Sequence, residues 1–440
     1  MASHGGWADP HACSGGGSRG SGRPPPGRRS AGRSRDRHTG SDLVFSRDLP
    51  RLGVLSQIVE GDIVSNDAGT YDASHIRLLH GAEAIRARPG MYIGSTGEHG
   101  LNHMVCEVVD RAVNETLAGA AGGSVDITLL PDGAVCVADD GPGVPDPESL
   151  LTRLSVGPRP IGRRDVSFLH GVELSIVNAL SSRLTAEVRR DGVRWVQEYA
   201  RGEAVTPLTE SGAATGSGTT LTFQPDAEIF TTTEPSFDDL GARCRELAFL
   251  YRELHISLTD RRGPGEPEPT RYRFPGGARD FVTFLDDSPT AATSTDIVHV
   301  ECEDARMAGT LEVALRWGGF TEERVRGFAN SRPTIGGTHL VGFRDGLTAA
   351  LTAYARKQGL LTATDPDLDM DRIGVGLTAV VSVKLDGPEF EGSTRQVLGN
   401  SPVRACVRDA VRDRLGRWLG EHPEAALGLV ERIARRSSRG

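Results

Sequence analysis

The sequence predicts a mixed α/β (α+β) protein, on three observations. Val105, Val108, Val109, Ala112 and Val113 recur at helical spacing within His103–Glu115, HMVCEVVDRAVNE. The runs VDITLL, 125–130, and AVCVA, 134–138, alternate as two strands around a Pro131-Asp132-Gly133 turn. A second series of strand patterns, 309–317 and 377–385, precedes two helical stretches, 403–419 and 423–436. A chain of 440 residues is long enough for two or three domains.

Taken in order, residues 1–69 are rich in Gly, Ser, Pro and Arg, cannot bury a core, and read as a disordered tail. Thr70–Leu79 reads as an arm leading into a helix over 81–86, which Pro89 stops. RPGMYIG, 88–94, reads as a turn with strand character. The central helix follows, with His103 and Glu107 one turn apart on the same side and Asp110, Arg111, Asn114 and Glu115 close by. Polar groups beside an apolar stripe suit a site on a buried helix; taken alone they also fit a surface helix with a charged edge. The second strand runs into DDGPGVP, 139–145, where carboxylates followed by glycines let backbone approach a ligand. LHGVELSIVNAL, 169–180, is a glycine-containing entry to a helix, of the kind that offers backbone N–H groups to phosphate. A hairpin is expected around Asp191-Gly192, a Gly-Thr strand over 216–225, and a helix over 239–254 that closes the first domain. The Pro/Gly/Glu-rich stretch 263–269 leads into a second domain. Its further elements are a strand at 297–300, a segment 322–328 that leads into a Gly336-Gly337-Thr338-His339 turn, and a helix over 342–358.

Composition narrows the class. Hydrophobic content of 38% and charged content of 25% suit a soluble globular protein. No apolar run of about 18 residues is present, and the N-terminus lacks the apolar core of a signal peptide. Six scattered cysteines without CxxC pairs argue for reduced thiols in a cytoplasm, and against zinc or disulfides. A net charge of −9 gives no support to nucleic-acid binding by the folded part.

These motifs occur together and in order: Tyr71-Asp72, RPGMYIG, EVVDRAVNE, DDGPGVP, LHGVELSIVNALS, SGTTLTF, GGTHLVGFR, ARKQGLL, GLTAVVSVKL and PEFEGSTRQVLGN. From Tyr71 onward the chain resembles the ATPase and transducer domains of DNA gyrase B and of its topoisomerase IV counterpart. The resemblance implies a GHKL-type ATPase sandwich over 70–262, then a ribosomal-S5-like transducer domain over 263–440, with ATP as ligand. It implies Glu107 as the general base for water, with His103 orienting it, and Asp139 as acceptor for the adenine amino group. Thr219 is then a second adenine-side contact, Gly141, Gly143 and Pro145 the pocket loop, and His170 and Gly171 the phosphate-binding helix start. Arg395 supplies a cation to the γ-phosphate, and Tyr71 and Ile76 belong to an arm that embraces a second copy and caps its nucleotide. The implied partners are a second copy of the chain and gyrase or topoisomerase IV subunits, with DNA engaged indirectly and no membrane.

Departures from the family pattern gather at the phosphate end. Arg111 stands where the family has a Mg²⁺-binding asparagine, and a guanidinium has donors only, so no metal ligand is assigned. Arg111 is instead a candidate phosphate contact. Glu173 replaces the last glycine of the phosphate loop, and the lid is shortened to VGPRPIGRRDVSF, 156–168, with Arg159, Arg163 and Arg164. Pro142 replaces a loop arginine, Val196 an arginine at the pocket mouth, and Ser393-Thr394-Arg395 a Gln-Thr-Lys triplet. The chain ends without the Toprim domain, so DNA cleavage by this polypeptide alone is not expected. Arg111 and Glu173 are expected either to pair across the former metal site or to act apart, with Arg111 bridging i,i+4 to Glu107 or Glu115. Three functions follow: a gyrase-B-like ATPase, a nucleotide-binding but non-hydrolysing dimerisation module that partners or regulates true gyrase, or a structural relic whose adenine pocket is also empty.

Overall fold

The computed structural model describes residues 79–119, 122–153, 174–265, 267–286, 296–319, 321–392 and 396–435. The expected tail and arm, with Tyr71 and Ile76, lie outside these residues. So do His170, Gly171, Glu173, Arg395 and the lid arginines.

Short helices α1 (Gly81–Ala87) and α2 (Gly90–Ile93) lead into α3 (Glu98–Ala118). The RPGMYIG stretch is therefore helical where strand character was expected. Pro89 has φ −60 and ψ −36, which presets a helical turn, and Gly94 at φ 80 closes it by donating its N–H to the Gly90 carbonyl. Helix α3 is longer than its predicted core because Leu101 and Met104 extend the apolar stripe toward its start.

The strands β1 (Ser124–Leu129), β2 (Val135–Asp139), β3 (Ser181–Arg190), β4 (Val193–Ala200), β5 (Glu203–Ala204) and β6 (Thr209–Ala213) are joined by β7 (Gly218–Pro225), β8 (His255–Asp260) and β9 (Thr270–Tyr272). They form one sheet in the order β5-β4-β3-β7-β2-β1-β8-β9, with β6 on β4. Val125, Ile127 and Leu129 of β1 are buried and alternate with more exposed residues, as in a sheet with one covered face. That face carries α3, and helices α4 (Pro147–Thr152), α5 (Leu174–Ala179) and α6 (Phe237–Leu250) complete the layer. Asp191 and Gly192 take φ 53 and 79 between β3 and β4, the tight hairpin turn that an Asp-Gly pair favours. Strand β9 extends this sheet beyond residue 262, next to β8.

A second sheet has the order β10-β11-β15-β12-β13, from β10 (Val298–Asp304), β11 (Gly309–Trp317), β12 (Arg324–Ala329), β13 (Arg332–Thr334) and β15 (Leu377–Leu385). A small third sheet joins β14 (Gly336–Gly337), β16 (Phe390–Glu391) and β17 (Val397–Leu398). The central β15 is buried on nearly every residue, which explains its continuous apolar run. One side meets α7 (Ala278–Leu285), the other α8 (Thr338–Lys357), against which α10 (Ser401–Glu421) packs. Helices α9 (Met370–Ile373) and α11 (Pro423–Arg435) complete this half. An aromatic seam within the first core reaches β12 of the second sheet: Phe249 stacks on Phe274 at 3.9 Å and on Phe281 at 4.5 Å, and Phe281 meets Phe328 at 5.7 Å. No helix among the described residues is long and apolar enough to cross a membrane.

Helices α8 and α10 approach closely because Gly342 has no side chain. A Cβ there would lie 2.3 Å from the Arg404 carbonyl oxygen, which belongs to backbone and cannot swing away. Gly342→Ala is therefore expected to cost about 1–3 kcal/mol, seen as a lower urea midpoint at unchanged slope.

Candidate functional site

The site begins on α3. Its apolar stripe faces the sheet, and the same rotation carries Glu107 to 3% exposure. His103 Nε2 lies 3.3 Å from Glu107 Oε1. Burial penalises the Glu107 carboxylate and pushes it up to about 7; His103 and Arg243 oppose that rise, and Asp110 adds to it. His103 is raised above its ordinary value, chiefly by its bond to Glu107, against the opposing effect of burial. The Ile93 backbone also raises it, so the turn at RPGMYIG touches the catalytic candidate through His103. A carboxylate poised near neutrality beside an orienting imidazole is a competent proton acceptor at physiological pH.

One turn further, Asp110 is 5% exposed on its side chain and takes a forked contact from Arg243 of α6, with Nη2 at 2.7 Å from Oδ2 and Nε at 3.0 Å from Oδ1. Burial disfavours the Arg243 cation, but Asp110 more than offsets this and holds the guanidinium above its ordinary range. Sequence reasoning noted Asp110 only as part of a polar run and did not find Arg243. Their separation of 133 positions leaves no local signal.

The second cluster is built where β2 meets β7. Asp139 closes β2 at 5% exposure. Its Oδ1 accepts the backbone N–H of Gly141 at 2.9 Å and of Thr219 at 3.2 Å. Among the described residues no hydrogen bond ends on its Oδ2. Burial raises this carboxyl to about 6, against the two amide donors that favour its ionised form. Thr219 Oγ1 accepts from Val144 N at 3.2 Å, which keeps its hydroxyl proton available as a donor. A Cβ on Gly141 would meet the Glu115 backbone at 2.7 Å, so the loop lies directly on α3. Gly143 sits at φ 79 against the Arg189 carbonyl, while Pro142 and Pro145 are exposed. Arg189 Nη2 donates to the Asp139 carbonyl at 3.1 Å, a brace that sequence reasoning missed. Asp140, chemically equal to Asp139 in the motif, turns away and clasps Ser124 N and Oγ at 2.8 and 2.9 Å.

Arg111 forms an i,i+4 ion pair with Glu115. This is the local bridge weighed from the sequence; Glu173, its other expected partner, lies outside the described residues. Arg111 itself has donors only and cannot ligate a cation. Elsewhere, ligand atoms of His299, Glu301 and Glu312 lie within 4.8 Å of one another. Arg252 already bridges both glutamates, at 2.9 Å from Glu301, and occupies the place of a cation. A cavity of about 400 Å³ beside this cluster is lined by Thr116, Tyr251, Arg252 and Lys384, not by Glu107 or Asp139.

Residues 96–229 match the family model "Histidine kinase-, DNA gyrase B-, and HSP90-like ATPase", and residues 277–439 match "DNA gyrase B". The DNA gyrase B protein of Streptomyces coelicolor is 42% identical over 403 residues, covering 84% of this chain and 59% of that protein. The novobiocin-resistant DNA gyrase B protein of Streptomyces niveus is 41% identical over 389 residues, covering 82% and 57%. The chain thus spans less than two thirds of the length of these relatives. Among solved structures, the 43K ATPase domain of Thermus thermophilus gyrase B, in complex with an aminocoumarin, superposes with a TM-score of 0.66 at 32% identity, covering 81% of this chain and 94% of that one. The ATP binding domain of Francisella tularensis topoisomerase IV gives a TM-score of 0.67 at 28% identity, covering 81% and 97%.

A carboxyl raised by burial is a cost to folding once it ionises. The fold binds its proton more tightly than the unfolded chain does, so stability falls as pH rises from about 4.5 to about 7. Glu107→Gln is therefore expected to leave stability nearly unchanged at pH 4.5 and to raise it by about 3 kcal/mol at pH 8. Urea unfolding at the two pH values reads the difference.

Proposed function

The chain belongs to the DNA gyrase B family, and from that premise we propose that it binds ATP, with Asp139 receiving the adenine amino group and Glu107 serving as general base for attack on the γ-phosphate. The observation that carries the binding is Asp139. Its Oδ1 is held by two backbone N–H groups and its Oδ2 is left to accept from a ligand. Thr219 supports the adenine side through its available proton, and Gly141, Gly143 and Pro145 form the loop beneath the base. His103 orients Glu107. At the phosphate end His170, Gly171 and Arg395 contact the triphosphate. Charge there is neutralised by protein cations, with Arg111, Arg159, Arg163 and Arg164 as the remaining candidates.

In this reading residues 1–69 are a tail, 70–262 the nucleotide domain and 263–440 the transducer domain. Tyr71 and Ile76 belong to an arm that closes over the nucleotide of a second copy of the chain. The dimer works in the cytoplasm with gyrase or topoisomerase IV subunits, and meets DNA through them.

One observation favours a second reading. Arg111, at the position of the family's metal ligand, is engaged with Glu115. A site without a metal ligand suits a module that binds nucleotide and dimerises without hydrolysing it, as a partner or regulator of true gyrase.

Calorimetry with ATP, with and without Mg²⁺, beside a phosphate-release assay on the same preparation separates the readings. Asp139→Asn presents an amide donor to the adenine amino group and is expected to weaken ATP binding at least tenfold; unchanged affinity defeats the pocket assignment. Binding is also expected to weaken below about pH 6, where Asp139 takes up its proton. Phosphate release that is lost in Glu107→Ala supports the hydrolytic reading. Tight binding without phosphate release supports the second. Arg111→Asn is expected to make ATP binding respond to Mg²⁺; an affinity still indifferent to the metal defeats this account of the position.

A further inference from the structure

The contacts of Arg243 extend beyond the nucleotide domain. Besides its fork on Asp110, its Nη1 donates to the backbone carbonyl of Ser331 at 3.1 Å. Ser331 and Asn330 are the two central residues of the turn between β12 and β13. They take φ 67 and 47, a left-handed pair in which glycine is ordinarily found, and both are buried. The turn is pinned on its other side as well. Asn330 Nδ2 donates to the Leu385 carbonyl at 3.0 Å, and Leu385 N donates to Asn330 Oδ1 at 2.9 Å, at the end of β15. Ser331 Oγ donates to Tyr251 Oη at 2.7 Å, and Lys384 Nζ donates to the Leu250 carbonyl at the end of α6 at 2.9 Å.

We propose that Arg243 is a positioning residue for Glu107: one guanidinium holds Asp110, three residues along the same helix, against the strained Asn330-Ser331 turn, so that the second sheet sets where Glu107 stands. The proposal rests on the reading of Glu107 as the general base. A buried ion pair is a poor device for stability alone, since apolar residues of similar volume usually do as well. A non-glycine residue held at positive φ is likewise kept only where its surroundings over-determine it. Here both features meet at one carbonyl. The Leu385 end of β15 thus reaches the helix bearing Glu107 through Asn330, Ser331 and Arg243.

Among the described residues, the charged groups that face Glu107 are His103 and Asp110 from α3 and Arg243 from α6; Arg332 of β13 faces Asp110, and Glu246 of α6 lies 3.9 Å from Arg243. This arrangement gives the test a sign. Asp110→Asn removes a negative neighbour and is expected to move the titration of Glu107 to lower pH, by about one unit. Arg243→Gln removes the positive one and leaves Asp110 without its forked partner, so the titration moves to higher pH by a similar amount. The titration is read by NMR on the full chain labelled at the glutamate side-chain carboxyl carbon, with the Glu107 signal assigned by its loss in Glu107→Gln. Amide exchange over 103–115 and over 326–334 is followed on the same variants. Opposite shifts, with faster exchange in both segments when Arg243 is changed, support the proposal.

Shifts of the same sign, or an unmoved titration, overturn it and leave a purely structural pair. So does faster exchange in one segment alone. Arg243→Lys keeps the charge and loses the fork. It is expected to leave the titration near its wild-type position while both segments exchange faster, and slow exchange in both overturns the mechanical link. If Arg243→Gln does not fold, Asp110→Asn, Arg243→Lys and the neutral double variant Asp110→Asn/Arg243→Gln carry the same comparisons. Phosphate release is measured separately. Its absence alongside opposite titration shifts removes the base assignment and leaves the positioning intact.

Discussion

A carboxylate held away from water on α3 is the constraint around which the rest of the site is arranged. Desolvation dominates Glu107, and an unpaired buried charge would either neutralise itself or unfold its surroundings. The helix answers with His103 one turn earlier and, through Asp110, with a cation drawn from α6. The outcome is a group balanced near neutrality, neither a fixed anion nor a permanent acid. That balance requires α3 to be long enough to carry His103, Glu107 and Asp110 on one side while its other side fills the core with Leu101, Val105, Val108 and Val109. It also requires α6 and the second sheet to stand where Arg243 can reach both Asp110 and Ser331.

In the proposed reading the two ends of the site follow different physics. At the adenine end, specificity comes from backbone geometry. Gly141 touches α3, Gly143 takes a left-handed conformation, and two amides lock one oxygen of Asp139. None of these contacts requires a metal or a flexible loop. At the phosphate end, cations do the work, and charges on α3 itself compete for them. Arg111 engages Glu115, whose negative charge also reaches Asp139 and helps raise it. The same acidic residue therefore bears on both ends of the site.

Much of this was legible in the sequence because it is local. The α3 stripe, the strands around Pro131-Asp132-Gly133 and the Asp191-Gly192 hairpin are set by periodicity and turn chemistry that act over a few residues. The i,i+4 relations of His103 with Glu107 and of Arg111 with Glu115 belong to the same class. RPGMYIG was misread as strand-like because its β-prone Tyr92 and Ile93 lie within a turn whose backbone Pro89 and Gly94 dictate. Asp139 and Asp140 could not be told apart by chemistry. The sheet decides, turning one onto the Gly141 and Thr219 amides and the other onto Ser124. The groups left unseen are those that depend on distant chain meeting in space: Arg243 on Asp110, Arg189 on the Asp139 carbonyl, and the Ser331 carbonyl beneath Arg243.

The unseen contacts also explain how α3 carries opposite commitments on neighbouring residues. Arg111 puts a charge on a surface that is one-fifth exposed, and Glu115 absorbs that charge locally. Asp110, one residue earlier, faces the interior, where Arg243 neutralises it and the second sheet fixes the guanidinium. Adjacent residues on a helix point about 100° apart, so the outer charge can be rewritten while the inner one stays committed. Glu107 lies one turn from each of them. Its burial and its contact with His103 follow from the inner face. In the proposed reading, the placement of Glu107 is thereby separable, in structure, from how phosphate charge is neutralised.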